Sequence, residues 1–417
     1  MQKLITLMGL GAACATTFAG DMVDGLRSGD IWSEPVDVNR QVFAGVRYMR
    51  VDENTVRVPS DKGLTIGHLR MGEVLLTWDD EKILTAIQVM IYNKGDDGEA
   101  DKDIYEELLE DSLHELNAIF GTKGKVCKIS RRESAVALKA WEWETEKGVA
   151  RLEASYTGSR KNFKGEFIRL KLGPDKDSIS KGSSADAAHR RDLKSNVKID
   201  ELSGDVYIDG IPMVDQGSKG YCVPASAARI FAYYGMDGVD QHALAQLCDS
   251  SNGGTSTQDM KSALEAISRK FHMKVICLTG KNETNIIYDF IADYNKAAKK
   301  LRKQQATPMD WPEVANDREV LLLARGNKRY VKKWLASIRK NIDAGVPVLW
   351  CVTLGIFPEQ GLPQPDGSHM RLIIGYNEEK STLIYSDSWG SGHERKSMPL
   401  RHAAAMTFSC YVLRPSR

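Results

Sequence analysis

Gln216-Gly217-Ser218-Lys219-Gly220-Tyr221-Cys222-Val223-Pro224-Ala225-Ser226-Ala227-Ala228-Arg229-Ile230-Phe231-Ala232-Tyr233-Tyr234-Gly235 sets an amide side chain, a short glycine-bearing loop and a cysteine at the start of an apolar run. The run predicts a helix from about Cys222 to Gly235, with Pro224 in the first turn, where a missing N–H costs nothing. A thiol becomes a good nucleophile as the thiolate, and a helix N-terminus is one of the few places that stabilises one. A nearby glutamine can donate to an oxygen that turns negative during attack. Cys222 is therefore a candidate nucleophile and Gln216 a candidate oxyanion donor.

The same chemistry needs an imidazole to carry the proton and a group to orient it. His369 enters a strand-like run, Ser368 to Tyr376, and is the candidate base. Asp387, in Tyr385-Ser386-Asp387-Ser388-Trp389-Gly390, is the candidate orienter. The run Thr382 to Ser386 pairs, on this reading, with the His369 strand across a turn at Asn377-Glu378-Glu379-Lys380, which carries Asp387 towards His369. Asn377 is a weaker orienter. Among rival histidines, His242 reads as lying on a wet helix face, His272 precedes a short strand, His393 and His402 lie in a charged loop region, and His114 and His189 fall outside this part of the chain.

The order Cys, His, Asp and these local motifs resemble the papain-like cysteine peptidases. In that superfamily the oxyanion glutamine precedes the cysteine by six positions, as Gln216 precedes Cys222. The third residue commonly sits in Asn-Ser-Trp-Gly, here Asp387-Ser388-Trp389-Gly390, and His369 follows Cys222 by 147 residues. The resemblance implies that Trp389 shields the hydrogen bond between His369 and Asp387. Within the superfamily the likeness is strongest to the bacteriocin-processing, double-glycine-leader type of peptidase domain. It rests on the Cys222 helix running into Tyr233-Tyr234-Gly235, on Gly254-Thr255-Ser256 before a helix, and on the Asp soon after the His strand. It covers about residues 205–417 and departs in a helical stretch, 281–344, that reads as an insertion. The transporter that such domains often accompany is lacking, so export of a leader peptide is not carried over. Thiol acyl transfer to an amine, as in transglutaminase-like proteins, and a retired peptidase fold that only binds are the alternatives.

At 417 residues the chain exceeds the usual single-domain size. The expected organisation is a signal peptide (1–19), an α+β domain of open role (21–173), a solvated linker rich in Ser, Lys, Asp and Gly (174–198), and an α+β papain-like domain (199–417). In the first domain, Val74-Leu75-Leu76, Ile83 to Tyr92, Ala135 to Thr145, Val149 to Tyr156 and Phe167 to Leu172 read as strands, with a hairpin at Lys147-Gly148. A helix is expected from near Asp103, with Glu106 as its capping-box partner and Gly121 as its stop. Ile168, Leu170 and Leu172 alternate with charges, as in a sheet with one wet face. Trp141 and Trp143 share a strand face and read as core aromatics. In the second domain, helices are expected at Gln241 to Leu247, Thr257 to Arg269 and through most of 281–344. Strands are expected at Val206 to Ile208, Lys274 to Leu278, Val348 to Leu354, Met370 to Tyr376, Thr382 to Ser386 and Thr407 to Leu413.

Lys3, the apolar run Leu4 to Ala13 and Thr17-Phe18-Ala19 have the order of an export signal, which implies a periplasmic or extracellular location. Cys14 is a weak lipid-attachment candidate. Lys+Arg 57 against Asp+Glu 56 leaves a net charge of +1, so there is no electrostatic footprint for nucleic acid. Beyond Cys14 and Cys222 the cysteines are Cys127, Cys248, Cys277, Cys351 and Cys410, without a Cys-x-x-Cys pair. No metal or cofactor is expected, and at least one of these cysteines is expected to be a small buried hydrophobe. The expected partner is a peptide or protein substrate.

Overall fold

The computed structural model describes residues 21–33, 46–59, 64–130, 133–159, 161–180, 193–236, 238–250, 254–255, 261–262, 264–265, 268, 273–279 and 286–415. The expected signal peptide, the middle of the linker (181–192) and most of the helix expected at Thr257 to Arg269 lie outside the described residues.

Two antiparallel sheets, each over its own cluster of buried apolar side chains, organise the chain. The N-terminal sheet is built from β1 (Met49–Arg50), β2 (Thr55–Val58), β3 (Val74–Trp78), β4 (Leu84–Asn93), β5 (Lys125–Cys127), β6 (Lys139–Thr145), β7 (Gly148–Thr157) and β8 (Lys164–Gly173). Its order is β1-β2-β3-β4-β8-β7-β6-β5. The β6–β7 hairpin turns as expected, with Thr145 opposite Gly148. Helices α1 (Val23–Ser28), α2 (Lys94–Asp97), α3 (Lys102–Phe120) and α4 (Lys176–Ile179) complete this half. Helix α3 starts earlier than expected because Asp101, not Asp103, is the N-cap: its carboxylate accepts from the backbone N–H of Asp103 and Ile104. Glu106 instead pairs with Lys102. Tyr105 anchors α3 by donating to the carbonyls of Ser155 and Phe167. Trp143 is core, its indole N–H donating to Asn117.

One expectation fails instructively. Ile168, Leu170 and Leu172 are buried, but so is the alternate face of β8: Arg169 is 1% exposed. The supposed wet face lies against the rest of the chain, where Arg169 pairs with Glu153 on β7 and with Asp240 at 2.5 Å.

The C-terminal half runs β9 (Val197–Asp200), β10 (Asp205–Ile208), α5 (Cys222–Tyr233), α6 (Gln241–Leu247), β11 (Met273–Cys277), α7 (Ile286–Leu301), α8 (Trp311–Val314), α9 (Arg318–Ala324), α10 (Lys328–Ile342), β12 (Val348–Leu354), β13 (Gly367–Asn377), β14 (Thr382–Ser386), β15 (Lys396–Pro399), α11 (Leu400–Met406) and β16 (Thr407–Pro415). The sheet order is β11-β16-β12-β13-β10-β9, with β14 on β13 and β15 on β14. Strand β9 starts at Val197, inside the stretch expected to be linker, and pairs with β10. The stretch 286–342 is helical as expected, and Phe290, Tyr294, Trp334, Ile338 and Ile342 join the same core as the sheet. Helices and antiparallel sheets together make the fold α+β.

Candidate active site

Helix α5 is buried almost all round, and its alanines let it lie close to the sheet. Ser226 donates to the Met370 carbonyl at 3.2 Å, which ties the helix to β13 beside His369. Cys222 is the first residue of α5 and half-buried. Burial pushes its thiol up, but the hydrogen bond and charge of His369, with the backbone N–H groups of Met370 and Val223, outweigh it and leave the thiol below its ordinary value.

The expected hairpin forms, with Asn377 opposite Thr382 and Leu372 opposite Ser386. It delivers Asp387 to the face of β13 that carries His369 and, two residues on, Arg371. Asp387 Oδ1 lies 2.9 Å from His369 Nε2 and accepts from Arg371 Nε, also at 2.9 Å. An ionised carboxylate only accepts, so Nε2 carries the proton and Nδ1 is left for the thiol. Nδ1 is buried, and the ring is near enough to Cys222 to shift both groups. Burial lowers the His369 pKa, yet the bonds to Asp387 and Cys222 carry it above its ordinary value. Burial raises that of Asp387, yet His369 and then Arg371 hold it below the ordinary carboxylate value. The Trp389 ring stacks on the His369 ring, with centroids 4.2 Å apart and planes 4° apart.

Gln216 is buried and held on both sides. Its Oε1 accepts from Ser388 Oγ at 2.7 Å, its Nε2 donates to the Lys219 carbonyl at 3.3 Å, and its backbone N–H donates to the Ser388 carbonyl. One Nε2 hydrogen is left over for another acceptor. Glycine is required at 217, where φ is +67°. The structure thus brings together all four residues singled out in the sequence: Gln216, Cys222, His369 and Asp387.

Other groups escaped the sequence reading. Arg229, about two turns along α5, is 1% exposed and donates to the Pro212 carbonyl, the Asp387 carbonyl and Ser386 Oγ. Arg371 spans Asp387 and Glu359, the latter at 3.0 Å. Lys219 is buried against Glu73. Each sits next to a recognised motif, but a lone basic residue in such a stretch gives no sign of being buried. His242 corrects another expectation: its helix face is not wet. The ring is 3% exposed, packed against Phe167 of the N-terminal sheet and Tyr221. His402 stacks on Phe357, His393 stands edge-on to Trp389, and the Asn377 amide donates to Ser203 and Asp205 rather than to an imidazole. His114 is on α3, and His189 and His272 lie outside the described residues.

None of the six cysteines from Cys127 onwards forms a disulfide among the described residues, and Cys248 and Cys410 are the buried hydrophobes anticipated. Among the described residues no cluster of His, Cys, Asp and Glu is arranged to hold a metal ion. No described helix is long and apolar enough to cross a membrane.

Residues 208–411 match the Peptidase_C39 like family. The matched segment is just under half of the chain. The match takes in Gln216, Cys222, His369 and Asp387 and the helical stretch between them. Among solved structures, the chain is similar to the peptidase domain of Streptococcus ComA, a bi-functional ABC transporter involved in a quorum-sensing pathway. Identity is 13%, coverage is 49% of this chain and 99% of that domain, and the TM-score is 0.26, a likeness too low to bear on mechanism. No curated protein matches the chain.

Proposed function

We propose that this chain is an exported cysteine peptidase that hydrolyses peptide bonds with Cys222 as nucleophile, His369 as acid and base, Asp387 as orienter and Gln216 as oxyanion donor. In this reading residues 199–417 form the papain-like domain and residues 21–173 a preceding α+β domain. The thiolate adds to a peptide carbonyl, and the carbonyl electron pair moves onto oxygen. Gln216 Nε2 and the Cys222 backbone N–H receive that oxyanion. The His369 imidazolium then protonates the leaving amine, and the neutral ring activates a water that releases the acyl group. Proton transfer of this kind is worth about 10²–10⁴-fold in rate.

The observation that carries the reading is the geometry around His369, whose Nε2 lies 2.9 Å from Asp387 Oδ1 beneath the stacked Trp389 ring, with Cys222 at the start of α5 near enough to interact with it. Desolvation alone would neutralise both Cys222 and His369, yet each lies on the side that favours its charged form. Such a pair has little structural use and a clear nucleophilic one. Export rests on the order of charge, apolar run and small residues at the N-terminus. The test is turnover of a fluorescence-quenched peptide library by the purified protein and by Cys222→Ala. Loss of turnover in the variant is expected, and equal turnover by both would end the proposal. Amine incorporation without net hydrolysis would move it to acyl transfer.

A further inference from the structure

The N-terminal sheet meets the rest of the chain where the chemistry is. Its charged side chains run to the segments that carry Gln216, Cys222 and Trp389. Lys219, three residues before Cys222, reaches Glu73 at 2.7 Å and Asp96 at 3.4 Å. The side chains of Lys219 and Glu73 are 1% and 5% exposed. Arg57 Nε donates to Asp215 Oδ2 at 2.8 Å, and Asp215 Oδ1 accepts the Gly217 N–H. A side chain built on Gly217 would meet Lys219, Glu73 and Arg57 all within about 3.3 Å. The Ser391 N–H donates to the Arg50 carbonyl, just past Trp389. Tyr221 packs on Gly95 closely enough that any side chain there would collide with its ring.

We propose that the N-terminal sheet is a permanent part of the catalytic apparatus, in which Glu73 acts through Lys219 to position the oxyanion donor Gln216. The inference rests on the peptidase reading above. Its logic is local. Lys219 holds Gln216 at two points: its carbonyl accepts from Gln216 Nε2, and its ammonium reaches the Gln216 carbonyl at 3.4 Å. The ammonium stays buried because Glu73 and Asp96 surround it. A buried ammonium stripped of its carboxylates is strongly unfavourable, so removing the sheet would drive Lys219 into water and pull the loop with it. Glu73, Lys219, Arg57 and Asp215 are positioning residues, since none of them touches the thiol or the imidazole. A removable inhibitory cover would instead leave the loop intact when cleaved away. That is the opposite of what buried counter-ions on the N-terminal side require.

The test uses the full chain and two small probes that need no knowledge of the natural substrate. Acylation by p-nitrophenyl acetate forms a carbon–sulfur bond at Cys222, expels p-nitrophenolate and passes through an oxyanion. Alkylation by iodoacetamide reports the thiolate alone. The key variant is the pair Glu73→Gln with Lys219→Met, which removes both charges and leaves no ion buried without a partner. Acylation is expected to fall about 10- to 100-fold, short of the full loss of an oxyanion donor, with the alkylation pH profile unchanged. Gln216→Ala is expected to fall further, and adding the pair to it should cost nothing more, because the pair acts through Gln216. Glu73→Asp, which keeps both charges and shortens the reach, should lose acylation in part and guards against failure of the pair to fold. Wild-type acylation in either the pair or Glu73→Asp overturns the proposal, as does a multiplicative loss in the triple variant. Wild-type acylation in Gln216→Ala or Cys222→Ala overturns the peptidase reading itself.

Discussion

Asp387→Asn removes one negative charge from the centre of the site while keeping its shape. Oδ1 accepts from two groups at 2.9 Å, His369 Nε2 and Arg371 Nε. Arg371 can only donate, so it holds the new amide oxygen in the same place, and the His369 tautomer is preserved. What changes is the strength of the bond to an imidazolium. A hydrogen bond to a charged group contributes about 1.5–3 kcal/mol and a neutral one about 0.5–1.5 kcal/mol. The difference, about 1–1.5 kcal/mol, is about one pKa unit. The His369 pKa therefore falls by about a unit and the Cys222 pKa rises. In the pH profile of kcat/KM the acid limb follows ionisation of the thiol and the alkaline limb follows loss of the imidazolium proton, so the bell narrows from both sides and its maximum drops about tenfold. The fold should survive, because Arg371 keeps Glu359 and Arg229 keeps its carbonyl partners. The assay is kcat/KM against pH for both proteins, with circular dichroism to establish folding. An alkaline limb that stays where it was, in a folded variant, refutes the assigned role of the carboxylate.

Three other substitutions read different parts of the structure. Trp389→Ala uncovers the ring pair stacked at 4.2 Å; water then screens Asp387 from His369, and kcat/KM should fall about tenfold with the alkaline limb moved to lower pH, whereas a wild-type profile would show the stacking to be incidental. His242 is held neutral by burial, its pKa pushed from 6.5 to about 3 despite the attraction of Asp240. A group with a depressed folded value that is neutral when buried binds its proton in the unfolded chain first, so stability is intact above about pH 6.5 and is lost as pH falls from there towards about 3. At about pH 5 the loss comes to about 2 kcal/mol, and urea unfolding of His242→Phe at acid and neutral pH should show that increment gone; an unchanged acid dependence would place it elsewhere. Gly95→Ala puts a methyl 2.5 Å from the Tyr221 ring, which must shift next to Cys222, so a loss of about 1–3 kcal/mol in thermal unfolding and slower turnover are expected, and an unmoved melting temperature would refute the contact.

The candidate site was legible because its parts are local motifs: a glutamine, a glycine turn and a cysteine before an alanine-rich helix, and a hairpin whose register carries Asp387 back to His369. The strands of both halves were legible for the same reason, through alternation and turn residues. What stayed hidden was the contact between the two halves. Arg169 and His242 both look like surface residues from their neighbours in sequence, and both are buried against the opposite half. Period-two and period-3.6 patterns report that a face is polar, and they say nothing about a polar face that meets complementary charges 71 residues away, as Arg169 meets Asp240. The start of α3 was misread for a smaller reason, since both Asp101 and Asp103 are plausible caps and only the backbone geometry separates them. Helix α11 was missed because Pro399 stands at the N-cap of Leu400–Met406 and no capping side chain marks its start, as Asp240 marks that of α6.

Several bonds that frame the candidate site are long in sequence. Arg57 to Asp215 spans 158 residues, Glu73 to Lys219 spans 146, Gln216 to Ser388 spans 172 and Arg229 to Asp387 spans 158. A ribosome-bound chain that has just released Cys222 still lacks the imidazole, the carboxylate and the lid of indole. Under the proposed chemistry, a truncated or half-made product carries an inert sulfur, and destructive power arrives last, as the final strands close.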